Sequence, residues 1–235
     1  MSSEMINSPP ADIPEKLSAL ETWRLALTQP NEETFQRISE DPSASLGRAI
    51  GWIALSSGIA YAIGAFAQLL FIQSLPLSSF VEGAEEVFSG DLLAGISSLF
   101  ILACGLPVVV IASTLGTLLF AGLIHFTAGA LGGSGSFRQL VHAFAAISAP
   151  FTLVSALLGL IPIVNCLTIP LALYVIVLNI LAIKVVHRLS WGAAMGTIMI
   201  LLLLFVLLAV VLGFALWIPL QEFLNSPDFL PSQLY

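Results

Sequence analysis

Charge is what this sequence has least of. Its 235 residues include seven Lys and Arg and fourteen Asp and Glu, 9% in all, where a soluble domain carries about a quarter. Seven bases and a formal net charge of −7 exclude a nucleic-acid partner, because phosphate binding needs clustered Lys and Arg. Cysteine is nearly absent too. Cys104 and Cys166 are too few and too far apart for a disulfide framework or a zinc knuckle. Both fall at the same end of apolar runs, so a bridge on an oxidising face stays open beside the simpler reading as small buried apolar side chains. The first apolar run begins near Ala49, behind a polar segment, so a cleaved signal peptide is not expected.

What the chain has is apolar surface: 58% hydrophobic residues and a mean hydropathy of +1.02. Residues 49–73, 107–131, 140–161, 167–183 and 192–218 contain no Asp, Glu, Lys or Arg. A helix needs about 20 apolar residues to cross hydrocarbon, and it satisfies every backbone group internally. The expected fold class is an all-α integral membrane protein, a five-transmembrane-helix bundle. Leu92 to Cys104 is apolar but, at about 1.5 Å per residue, covers only some 20 Å of a core about 30 Å thick. It is expected as a short outer interfacial helix that lies on or dips into one leaflet. The domain plan is a cytoplasmic N-terminal segment (1–46), a five-span membrane domain (47–218) and a short outer tail (219–235).

Lys and Arg near span ends collect on the cytoplasmic side. With five spans and the N-terminus inside, Lys16, Arg24, Arg37, Arg48, Arg138, Lys184 and Arg188 all fall inside, while the outer segments hold Glu82, Glu85, Glu86, Asp91, Glu222 and Asp228 with no base. A sixth span at Leu92 to Cys104 would throw Arg138, Lys184 and Arg188 outside. Trp52 and Trp191 fall near the inner interface and Trp217 near the outer one, where amphipathic rings are favoured. Small residues at Ala54, Gly58 and Ala62, and at Ala112 and Gly116, recur every fourth position and suit close packing within the bundle.

Before the first span, Leu17, Leu20, Trp23 and Leu27 recur at helical spacing, and Phe35 and Ile38 repeat the pattern after "TQPNEE". Two amphipathic helices on the cytoplasmic surface are expected. Over residues 1–46 three bases face eight acids, which disfavours attraction to anionic lipid and favours docking onto the bundle or a protein partner.

The stretch "HFTAGALGGSGSFRQLVHAFAAISAP" holds five Gly and Ser residues, Gly132 to Ser136. A dinucleotide or phosphate loop would need a preceding strand and, in the second case, a Lys; here the flanks are membrane helices. The turn reads as a tight hairpin, with Ser136 and Gln139 forming a capping box that starts the third span. Free N–H groups beside Arg138 make Gly132, Gly133, Gly135, Ser136 and Arg138 a candidate lipid-phosphate or partner site. His125, His142 and His187 fall at one depth, yet no carboxylate or thiol joins them, and hydrogen bonding to a neighbouring helix explains them better than metal. Asn179, inside the fourth span, is expected to pair with a neighbouring helix. Lys184 completes the set of candidate polar residues. Pro107, Pro150 and Pro170 kink helices or mark their starts. No cofactor or metal site is expected.

His125, the turn from Gly132 to Arg138, Pro150, and then Lys184, His187, Leu189, Ser190, Gly192 and Ala194 together resemble the Yip domain of Ypt- or Rab-interacting membrane proteins, in its prokaryotic form. The likeness covers roughly residues 22–212 and implies five spans. Eukaryotic members bind Rab-type GTPases and act in vesicle formation. Their Asp-Leu-Tyr-Gly-Pro motif is absent here, and their Gly-Tyr pair is replaced by Ala145 and Ala146, so GTPase binding does not carry over.

Intramembrane acids and bases mark proton and ion paths, and here only His125 and His142 remain. No Ser or Cys has a visible base beside it. The expected function is therefore non-enzymatic: protein–protein association or membrane organisation in a prokaryotic cell membrane, with membrane lipids and protein partners or a second copy as the contacts. A transporter or lipid-handling protein is the alternative, although no inverted repeat supports it.

Overall fold

The computed structural model describes residues 16–72, 91–161 and 164–224. They form seven α-helices: α1 Ala19–Thr28, α2 Glu32–Glu40, α3 Leu46–Ile72, α4 Asp91–Ala130, α5 Phe137–Gly159, α6 Thr168–His187 and α7 Trp191–Leu224, with a 3₁₀ turn at Val164–Leu167 before α6. Among the described residues there is no strand. Five segments are long and apolar enough to cross a membrane: Leu46–Gln68, Ala103–Ala130, Phe137–Gly159, Val164–His187 and Trp191–Pro219.

The centre of the bundle is α5. Eight consecutive residues, Leu140 to Ile147, are buried, which no helix with a free face can show. Its neighbours are α3, α6, α4, α1 and α2. Five of those eight residues are alanine or β-branched, and the small Ala143, Ala145, Ala146 and Ala149 share one core with Leu17, Ala26, Phe35 and Ile38 of the N-terminal segment. Small side chains let helices approach closely. Gly58 shows the same device between α3 and α4, where a Cβ would rest at ordinary contact distance from Val110 (3.5 Å) and Leu106 (3.7 Å).

Both N-terminal helices form, each capped as its sequence allows. Ser18 accepts from Glu21 N at 3.2 Å, and Asn31 accepts from Thr34 N at 2.7 Å. They do not lie flat on a surface. They pack along α5 and α6, and the Tyr174 hydroxyl donates to the Leu27 carbonyl at 2.7 Å, roughly 20 Å along α6 from its His187 end by helix rise. Of the expected apolar pattern, Leu17, Phe35 and Ile38 are in the core and Trp23 and Leu27 pack against it; the departure is at Leu20. Leu20 is 76% exposed, while Thr22 and Ala26 are fully buried. Thr22 can be buried because its hydroxyl donates to the Ser18 carbonyl at 2.8 Å, and small residues suit the alanine-rich flank of α5.

A second correction concerns Leu92 to Cys104. It is not a separate interfacial helix but the first part of the 40-residue α4. Pro107 lies inside that helix; a proline there removes one backbone bond without ending the helix, which membrane bundles tolerate. Pro150 is likewise inside α5, and Pro170 falls in the first turn of α6. The outer tail expected from residue 219 begins as helix, because α7 continues through Pro219 to Leu224; Glu82, Glu85, Glu86 and Asp228 lie outside the described residues. Trp52 is core rather than an interfacial anchor, 7% exposed, whereas Trp191 and Trp217 are about half exposed. Cys104 and Cys166 are free and exposed, not bridged and not buried.

Candidate functional site

The glycine turn closes α4 with a Schellman motif. Gly132 takes φ of 92°, a conformation open to glycine, and this lets Gly133 N donate to Ala128 O at 2.9 Å and Gly132 N to Gly129 O at 3.0 Å. The predicted capping box is present: Gln139 N donates to Ser136 Oγ at 3.3 Å, and Ser136 N to Gln139 Oε1 at 3.4 Å.

The other glycines serve a contact that the sequence did not reveal. The turn lies against the end of α6, where Ser134 N donates to the His187 carbonyl at 3.1 Å. A Cβ on Gly135 would fall 2.7 Å from the Val186 carbonyl carbon, and one on Gly133 would fall 2.8 Å from Ala128 O and 2.9 Å from the His187 Cβ. Glycine is required at both positions by backbone approach. Opposite the turn, α6 ends at Arg188 in the left-handed region (φ 56°), and Leu189 N donates back to Lys184 O at 3.0 Å.

Two of the three histidines meet here. His125 Nδ1 lies 3.0 Å from His187 Nε2, so one ring donates and the other accepts. His142 stands apart and stacks on Trp52 with ring centroids 4.9 Å apart. Trp23 meets the same indole edge-on at 5.8 Å, and Arg48 sits 4.7 Å from its centroid. Contrary to the expected helix-to-helix bond, neither His142 nitrogen has a hydrogen-bond partner among the described residues. Among those residues no three His, Cys, Asp or Glu side chains gather as a metal site would require.

Beside the turn lies an open polar cleft of about 500 Å³. Its walls are Glu32, Gln36, Ser39 and Glu40 of α2, Ser134, Gly135 and Gln139 of the turn and α5, and Lys184 and Arg188 at the end of α6. Lys184 is ion-paired with Glu32 and lies 4.8 Å from the Trp191 ring centroid. Of the predicted site residues, Gly135 and Lys184 line the cleft, while Gly133 and His187 are outside its lining and pack against each other. Arg138 is exposed and outside the lining. The amides of Gly132, Gly133, Ser134, Ser136 and Gln139 already donate to protein acceptors, and Glu32 and Glu40 add negative charge where an anion would sit. Asn179 is elsewhere, roughly 12 Å along α6 from His187.

Sequence reasoning missed the contribution of α2. The clue was there: Glu32, Gln36 and Glu40 recur every fourth residue on the face opposite Phe35 and Ile38.

Below the cleft, Asp41 anchors the N-terminal segment. Its carboxylate accepts from Ser43 N at 2.7 Å and Leu17 N at 3.2 Å and lies 3.7 Å from Arg48. Burial alone would raise its pKa, but the Ser43 hydroxyl and amide, the Leu17 amide and the Arg48 charge together hold it below the usual 3.8.

A bundle of five apolar helices, with its polar groups concentrated at one end, is a multi-pass integral membrane protein. The model of the Yip1 domain matches residues 24–213, and the chain belongs to that family. Comparison with curated proteins and with solved structures gave no match.

Proposed function

We propose that this chain is a non-enzymatic membrane protein that works by protein association at its glycine-turn end, in a prokaryotic cell membrane with the N-terminus in the cytoplasm and the C-terminus outside. The observation that carries the reading is the cleft of about 500 Å³ with acids and bases on facing walls. A surface with both signs, open and polar, suits a peptide segment better than a phosphate, since acids on the wall repel an anion. Ser136 and Arg138 then act as rim positions for the partner, with Gly132, Gly133 and Gly135 shaping the backbone beneath. The orientation rests on the seven Lys and Arg residues, each of which belongs to this end of its helix or to the segment docked there. GTPase binding forms no part of the reading, because Ala145 and Ala146 are fully buried inside α5.

A photo-crosslinking residue at the exposed Gln36 tests this in native membranes. The expected result is a discrete protein adduct that Arg188→Glu abolishes and that the same probe at Leu207 never gives. Adducts to lipid alone, or vesicle flux of lipid or solute by the purified protein, would overturn it.

A further inference from the structure

A second cavity lies within the membrane-spanning part of the bundle. It has a volume of about 270 Å³ and is lined by Gly116, Thr117 and Phe120 of α4, Phe144 and Ser148 of α5, and Asn179 of α6. Helix rise puts Ser148 roughly 17 Å from the start of α5, Asn179 roughly 12 Å from the end of α6 and Thr117 roughly 20 Å from the end of α4. All three positions fall inside the segments long and apolar enough to cross a membrane, so these polar groups meet within the apolar part of the bundle.

Their hydrogen bonding is incomplete. The Ser148 hydroxyl is buried with no partner among the described residues. The Asn179 amide, expected to bond a neighbouring helix, makes no hydrogen bond among those residues either. Thr117 donates to the Ser113 carbonyl at 2.8 Å and keeps its acceptor capacity. An unpaired amide and hydroxyl at this depth are costly, and three helices bring them to one cavity. Beside them the Phe120 and Phe144 rings, with centroids 6.1 Å apart, make an apolar wall. No Asp, Glu, Lys or Arg lines the space, so it offers nothing to balance an ionised ligand.

We propose that this cavity holds the polar end of a neutral, lipid-soluble molecule bearing a hydroxyl or carbonyl oxygen, whose hydrocarbon part remains in the bilayer. The ligand oxygen accepts from the Asn179 amide and the Ser148 hydroxyl, and the Phe120 and Phe144 rings flank the adjoining carbons. The volume is below the roughly 300–1,000 Å³ of pockets that enclose a whole ligand, which suits a site that takes only the polar end. The inference is independent of the partner reading.

The test uses the full-length protein in phospholipid nanodiscs with a clickable diazirine-bearing long-chain alcohol. Labelling is expected on peptides containing Phe120, Phe144 or Asn179, saturable and displaced by excess unlabelled hexadecanol. Asn179→Leu and Ser148→Ala should each lower it about fivefold, the loss expected from one neutral hydrogen bond. Gly116→Leu provides a variant that leaves those partners in place: a Cβ there meets nothing within 4 Å, so the added side chain fills the cavity and blocks labelling. Melting temperatures of all three variants identify any that do not fold. Labelling by a matched alkane probe to the same extent means that an acyl chain fills the space and overturns the proposal. So does non-saturable labelling, or labelling unchanged in the folded variants.

Discussion

The two ends of this bundle are built on different principles. At the glycine-turn end, side chains hold the protein together: Phe35 and Ile38 of α2, Trp52 of α3, Ile124 of α4, Leu140, Val141, Phe144 and Ile147 of α5 and Ile183 of α6 are buried in one core. At the other end the helices are apolar but uncovered. From Leu202 to Ile218, every described residue of α7 is exposed, and the main contacts of this helix go to α4 and α6. Lipid must supply the surroundings that α1 and α2 supply at the first end. A helix that is hydrophobic all round needs an apolar environment but no particular neighbour, so the packed end holds the shape and the lipid-clad end follows it.

The contrast is broken most severely by Phe35→Ala. Phe35 is fully buried on a helix outside the spans, and its loss should lower the unfolding free energy by about 3–5 kcal/mol, read as a drop in melting temperature in nanodiscs. Leu207→Ala, at a position 61% exposed, should stay within about 0.5 kcal/mol. The glycines sharpen the same comparison. Gly135→Ala forces a methyl group into the backbone of Val186 and should destabilise by about 2–3 kcal/mol. Gly213→Ala, where a Cβ meets nothing within 4 Å, should be neutral or slightly stabilising in the same assay.

A smaller effect is expected at Asp41. Its folded-state pKa is lowered, so the stabilisation it gives is complete above its unfolded value and is lost as pH falls through the lowered one. Asp41→Asn should lower stability by about 1–2 kcal/mol near pH 7, where the variant loses charge-assisted bonds from Leu17, Ser43 and Arg48. The gap between the variant and the parent should close as melts are repeated toward pH 3. A gap that stayed constant with pH would show that the carboxylate charge is not what anchors the N-terminal segment.

Much of this was legible in the sequence. Uncharged runs, paired with bases confined to alternate connections, gave five spans, and the family model covers residues 24–213 against a likeness read over roughly 22–212. The capping box at Ser136 and Gln139 was legible because it depends on residues three apart. What could not be read were contacts between residues distant in sequence. That Gly135 is glycine because Val186 lies against it, or that Thr22 rather than Leu20 faces the bundle, depends on the shape of α5 and α6. Hydropathy does not encode that shape. Leu92 to Cys104 misled for a related reason: Pro107 looks like a helix start when only local rules are applied, and the neighbouring helices allow α4 to run through it.

The most direct test of the packed end is zero-length carbodiimide crosslinking of the unmodified protein in its own membrane. Lys184 Nζ is in contact with the Glu32 carboxylate, so an amide joining these two side chains should be the main internal crosslink found by mass spectrometry, and it should vanish in Glu32→Gln. If Lys184 reacts with other carboxylates while Glu32 links only to other molecules, α2 does not close the bundle, and the two-ended account fails.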